Sequence, residues 1–146
     1  KKEENRRWSS DITRCQRGSP ILALLGQKWV QNYGNDVDYL HFHNYLEIGY
    51  CYGGDGFMVL GEEEKRFYGG IVTVIPPNYP HTTNSDIGTV SKWEYLFIDV
   101  EGFMKKFLDN PVKAEKVIQR IYSRALFFEE KENLSISKKS TRFWIS

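Results

Sequence analysis

Only two cysteines, Cys15 and Cys51, occur among 146 residues, and no C-x-x-C pair is formed. That spacing excludes a C-x-x-C zinc or redox site and leaves one disulfide as the alternative to free thiols. Two reduced thiols are expected, with Cys51 acting as a small apolar residue in a strand. Charge of one sign is equally lacking: 20 basic residues against 19 acidic leave a net +1. A balance so even argues against a broad nucleic-acid or membrane footprint. No apolar run approaches the ~20 residues that cross a bilayer, and no charged-apolar-small leader opens the chain. A cytoplasmic protein is therefore expected. Ser9-Ser10-Asp11 forms no recognisable nucleophile–base arrangement, and Gly53, Gly54 and Gly56 lie between two strands rather than before a helix, so they read as a hairpin and not a phosphate loop. Internal repeats and low-complexity segments are absent.

What is present is one domain's worth of chain with 40% hydrophobic residues, enough to bury a core. Residues 1–19 are polar and read as a loosely held arm. Ile21–Leu25 and Lys28–Tyr33 read as short strands, and Gly34-Asn35-Asp36 as a turn. From Tyr39 to Val100 short strands follow one another: His41–Tyr52, Phe57–Leu60, Lys65–Tyr68, Ile71–Ile75 and Trp93–Val100, punctuated by glycine turns. Pro76-Pro77-Asn78-Tyr79-Pro80 cannot continue a ladder and is expected to be a rigid loop. Such spacing predicts a mostly β protein, a barrel or jelly roll over residues 20–100.

The pattern then changes. Glu101–Leu108 suits a short helix. Asn110-Pro111 supplies an N-cap and a first helical residue, after which Ala114, Val117, Ile118, Ile121, Tyr122 and Ala125 recur at helical spacing. One or two C-terminal helices are thus expected over 101–130, with a greasy stripe that needs a partner: the barrel, a second copy, or both. Residues 131–146 read as a polar tail.

The three histidines of the chain fall into one two-part pattern. His41, His43 and Glu47 share strand parity, so a continuous strand would set them on one face. His81 follows the proline loop, which aims it at little entropic cost. Inward-facing polar groups need partners, since an unpaired buried one costs roughly 1–3 kcal/mol. They either coordinate a metal, with zinc, iron, manganese, nickel and copper all suited to imidazole and carboxylate, or bond to one another and to a ligand. Trp93, Tyr95 and Phe97 share another strand face and offer either an aromatic wall for a ligand or plain core.

His41-x-His43-x3-Glu47-x6-Gly54 resembles the first motif of the cupin superfamily. Gly70-x5-Pro76-x-Asn78-x2-His81-x2-Asn84 resembles the second, with Asn78 where glycine is usual and Asn84 one residue early. In metal cupins the matching residues hold the ion, which carries that role to His41, His43, Glu47 and His81. A narrower resemblance covers roughly residues 20–130. His41-Phe42-His43-Asn44-Tyr45-Leu46-Glu47-Ile48, the Ile75–His81 loop and the Trp93–Asp99 strand running into a helix are similar to the sensor domain of AraC-type transcription regulators.

That resemblance implies a cupin, or double-stranded β-helix, barrel followed by a dimerisation helix at 110–130. It implies a non-catalytic domain that binds a small polar effector, such as a sugar, through His41, His43, Glu47, His81, Trp93 and Tyr95. A divalent transition metal (Zn, Mn, Fe or Ni) is the optional cofactor. DNA would be read only by a separate helix-turn-helix domain of about 100 residues, expected to lie outside this chain, with 131–146 as the linker toward it. An N-terminal arm folding over the effector is a further implication, with Trp8 and Ile12 as its apolar anchors. The alternative is a metal-dependent cupin enzyme, a dioxygenase or sugar isomerase, using the three histidines and the glutamate.

Overall fold

A computed structural model describes residues 7–10, 19–34 and 39–129, with backbone alone at 7–10, Trp29 and Tyr39. Ile12, Cys15, the Asn35-Asp36 turn and the tail at 131–146 lie outside the described residues. In chain order the elements are β1 (Arg7–Ser10), β2 (Ile21–Leu24), β3 (Gln31–Tyr33), β4 (Tyr39–Phe42), β5 (Leu46–Gly53), β6 (Gly56–Leu60), β7 (Glu63–Phe67), β8 (Ile71–Ile75), β9 (His81–Ser85), β10 (Ser91–Ile98), helices α1 (Val100–Phe107) and α2 (Pro111–Tyr122), and β11 (Leu126–Glu129).

The strands form two sheets. One runs β1-β4-β9-β6-β7; the other runs β11-β8-β5-β10-β2, with β3 also pairing β10. Both contribute to a common core: Met58, Leu60 and Phe67 from the first, Cys51, Ile71, Ile75, Trp93, Tyr95 and Phe97 from the second. The result is the mostly β jelly-roll barrel that the strand spacing predicts, followed by two helices. Strand alternation explains the lining. On β10, Ser91, Trp93, Tyr95 and Phe97 are buried while Lys92 is exposed, and on β8 Ile71, Thr73 and Ile75 are the buried set. Pairing then fixes levels across the barrel. Glu47 sits opposite Phe97 and Ile75, Gly49 opposite Tyr95 and Thr73, and Cys51 opposite Trp93.

Gly49 is required by close approach: a Cβ there would meet Thr73 Oγ1 at 2.6 Å and the Tyr95 ring at 3.0 Å. Gly54 is required by the hairpin, where φ is +84° and a Cβ would lie 2.6 Å from Ser91 Cα. Asn78 takes φ +59°, so the asparagine does keep the turn that glycine makes in the related motif.

The structure corrects several sequence expectations. The strand expected over 41–52 is broken at 43–45, and its two halves, β4 and β5, belong to opposite sheets. His43-Asn44-Tyr45 is the crossing between layers, so a shared strand face is not what unites the histidines and Glu47. Lys28 and Trp29 lie in a 3-10 turn (Gln27–Trp29), leaving only Gln31–Tyr33 as strand. β9 was not expected, because His81-Thr82-Thr83-Asn84-Ser85 has no apolar alternation; neighbours on both sides hold it, and all five residues are buried. The helical segment ends at Tyr122. Leu126–Glu129 returns as a strand against β8, with Phe127 packed on the core. In the polar arm, Arg7–Ser10 pairs in parallel with Tyr39–Phe42.

Helix starts follow their caps. The Asp99 side chain accepts from Gly102 N at 3.0 Å to open α1. The Asn110 side chain accepts from Val112 N and Lys113 N, both at 3.1 Å, to open α2, with Pro111 at its first position. α2 has no fully buried residue; Val112, Val117 and Tyr122 are exposed.

Candidate functional site

The proline loop holds the site together. Asn78 N donates to His43 O at 2.6 Å, and Tyr79 N donates to Pro76 O at 3.2 Å. β9 opens with His81, whose partner across the ladder is His41. These bonds bring the four sequence-predicted polar residues into one cluster. The His41 and His81 rings are 4.1 Å apart, His43 and His81 5.2 Å, and His41 and His43 6.3 Å. Glu47 Oε2 lies 2.9 Å from His43 Nε2 and 3.4 Å from His81 Nε2. His43, Glu47 and His81 are buried, while His41 is half-buried and leads to the surface.

Backbone carbonyls set the orientation of two imidazoles. His43 Nδ1 is 3.1 Å from Tyr45 O, and His81 Nδ1 is 2.8 Å from Tyr79 O. A carbonyl only accepts, so both Nδ1 atoms carry the proton and both Nε2 atoms turn toward Glu47. A lone pair on Nε2 facing a carboxylate oxygen is repulsive. The cluster is therefore stabilised by a cation in the middle, either a proton on Nε2 or a metal ion.

The electrostatics agree. Burial alone would raise the Glu47 carboxyl, but the adjoining His81 and His43 outweigh it and hold the pKa down at about 2. Burial likewise opposes charge on His81, and Glu47 overrides it, so that pKa is raised.

The metal question can be put to the donor set. His41, Glu47 and His81 each offer a ligand atom, all within 4.8 Å of one another. Bonds of ~2.0–2.2 Å would need these atoms to draw in slightly. His81 Nε2 is buried and has no aligned hydrogen-bond partner among the described residues, as a ligand nitrogen would. These three residues fit a metal. His43 is not one of this compact three; with Nδ1 on Tyr45 O and Nε2 on Glu47 it orients the carboxylate.

Trp93 and Tyr95 lie inside the barrel, fully or almost fully buried, with Phe97 above them. Trp93 stacks on Tyr95 (6.1 Å, 6° between planes) and Tyr95 on Phe97 (5.9 Å, 30°). Phe97 meets the His43 ring edge-on at 5.3 Å. The aromatic ladder thus abuts the polar cluster. Sequence reasoning missed Tyr33. Its ring meets Tyr95 edge-on at 6.3 Å, and burial pushes its pKa up to about 12. A tyrosine on a short edge strand carries no signal that would single it out.

A family model, the AraC-like ligand binding domain, matches residues 31–133. No curated protein matches the chain. Similar solved structures include a cupin protein from Bacteroides fragilis (17% identity, TM-score 0.44, covering 47% of this chain and 61% of that one). Another is a cupin 2 conserved barrel domain protein from Rhodopseudomonas palustris (13% identity, TM-score 0.43, 73% and 86%). A third is wild-type ToxT from Vibrio cholerae with an unsaturated fatty acid bound (13% identity, TM-score 0.45, 84% and 46%). The chain thus spans less than two thirds of the Bacteroides protein and under half of ToxT. With most of its length matched, from β3 through β11, this chain belongs to the AraC-like ligand binding domain family.

Proposed function

We propose that this chain is the effector-sensing part of a cytoplasmic transcription regulator and is not itself an enzyme. A small polar effector, a sugar or sugar derivative, binds in the barrel between the His41/His43/Glu47/His81 cluster and the face of Trp93 and Tyr95. The observation that carries this reading is a buried ionisable cluster that reaches the surface through half-buried His41 and abuts an aromatic ladder. Imidazole and carboxylate bond hydroxyls, and aromatic faces take the apolar side of a ring. A divalent ion (Zn, Mn, Fe or Ni) held by His41, Glu47 and His81 would supply positive charge for a ligand oxygen.

The output runs along β10. Phe97 touches His43, and two residues later Asp99 caps α1, which packs on α2. An effector that binds one arrangement of this ladder better than another biases the helical hairpin, a population shift driven by differential affinity. α2 pairs with its counterpart in a homodimer, and DNA is met only through a separate helix-turn-helix domain.

Calorimetry against a carbohydrate panel that also contains an unsaturated fatty acid tests the ligand class. Micromolar binding of a sugar, lost in His81→Ala, is the expected result; binding of the fatty acid alone would replace the sugar by a lipid. The second reading, a metal-dependent dioxygenase or isomerase, is favoured by the His41–Glu47–His81 triad. Stoichiometric iron or manganese after purification without a nickel column, together with turnover, would establish it.

A further inference from the structure

One level below the His/Glu cluster the barrel is lined by hydroxyls. Gly49, Tyr95 and Thr73 share this level on one sheet, and Thr83 faces it from the other. Tyr33 enters from the edge strand β3. The side chains of Tyr33 and Thr83 both neighbour the Tyr95 hydroxyl, Tyr33 with its ring edge-on to that of Tyr95. Thr73 is fully buried, and its Oγ1 has no hydrogen-bond partner among the described residues. It points to the barrel axis, beside the Tyr95 ring and 2.6 Å from where a Cβ on Gly49 would stand. One inward level further down, Trp93 Nε1, a donor only, is likewise buried and unpartnered. Native interiors rarely leave such groups unsatisfied, and each calls for a partner.

We propose that Tyr33, Thr73, Thr83 and Tyr95 form a second subsite that takes an uncharged hydroxyl-bearing group of the ligand. This rests on the reading that the barrel holds a small molecule, and it adds which part of that molecule goes where. The neutrality follows from the surroundings. No cationic side chain lines this level among the described residues, and Glu47, one level above, acts on both tyrosines as a negative charge. An anion there would face that charge with no countercharge. A hydroxyl both donates and accepts, which matches Thr73 Oγ1 on one side and a tyrosine hydroxyl on the other. Tyr33 is then a specificity-determining residue contributed from outside the two motifs.

The test uses the whole chain with labelled threonine methyl groups, observed by NMR while myo-inositol, D-xylose or succinate is added. The Thr73 methyl signal is identified by its loss in Thr73→Val. The expected result is that a neutral polyol shifts the Thr73 and Thr83 methyl signals and that succinate does not. Thr73→Val and Tyr33→Phe should each weaken that polyol about three- to tenfold, the worth of one hydrogen bond. Thr73→Val should leave the ligand-free protein as stable as before or more so, since it removes an unpaired buried group. Unchanged polyol affinity in both variants, or a succinate shift at Thr73, overturns the subsite while leaving a ligand-binding barrel. A marked loss of stability in ligand-free Thr73→Val also overturns it, because the hydroxyl would then be bonded within the protein. If no probe shifts any barrel signal, the subsite and the sugar reading fail together.

Discussion

Glu47 is buried with two imidazoles turned toward it, and its carboxyl stays ionised against the pull of burial. Cys51 shows the opposite balance. It is fully buried with no cation beside it among the described residues, and burial pushes its thiol up to about 11 from the ordinary 9.0. The folded state therefore favours the neutral thiol. Its contribution to stability is complete below pH 9 and is lost as pH rises through 9 toward 11. Urea denaturation at pH 8 and pH 10 should show this fall, and Cys51→Ala in a Cys15→Ser background should lessen it, the buried hydroxyls of Tyr33 and Tyr95 accounting for the rest. In that same background native Cys51 should resist iodoacetamide until urea opens the core, because the thiolate is the reactive species. The site was legible at this scale where chemistry is concentrated: three histidines are few enough that their spacing stands out. Tyr33, Thr73 and Thr83 were not legible, since tyrosine and threonine are ordinary strand residues and only register shows which of them meet.

Elements were legible where a local signal coincided with the tertiary demand. α2 begins where Asn110-Pro111 says it should. Asn110→Ala should cost about 1 kcal/mol and appear as reduced helicity by circular dichroism, with the β-barrel signal unchanged, because α2 buries no residue fully against the rest. β9 failed the local test because five residues, four of them Thr, Thr, Asn and Ser, are held by β4 and β6 on either side rather than by their own pattern. β11 failed for a different reason. Leu126 and Phe127 follow the helical stripe after only Ser123, Arg124 and Ala125, and periodicity alone does not mark where the chain changes partner. The break at His43-Asn44-Tyr45 was hidden in the same way: parity counted along one strand grouped the right residues, although the chain reaches that grouping by crossing from one sheet to the other.

For the whole molecule, the barrel supplies a closed core and the helical hairpin supplies an open surface. Val117 and Tyr122 are each 37% exposed, along the stripe expected to meet a second copy, and Val112 outside that stripe is 62% exposed. Light scattering of the chain should give a dimer, and Val117→Glu with Tyr122→Ser should weaken it at least ~tenfold, as loss of central apolar anchors does. A monomer at high protein concentration would refute the pairing and leave the barrel's ligand chemistry unaffected. Among the described residues no helix is long and apolar enough to cross a membrane.

The bond from Asn78 N to His43 O joins the two halves of the site through main chain alone. Replacing either side chain leaves that donor and acceptor in place. The same scaffold can therefore carry other groups in place of the imidazoles without rebuilding the frame that brings those groups together.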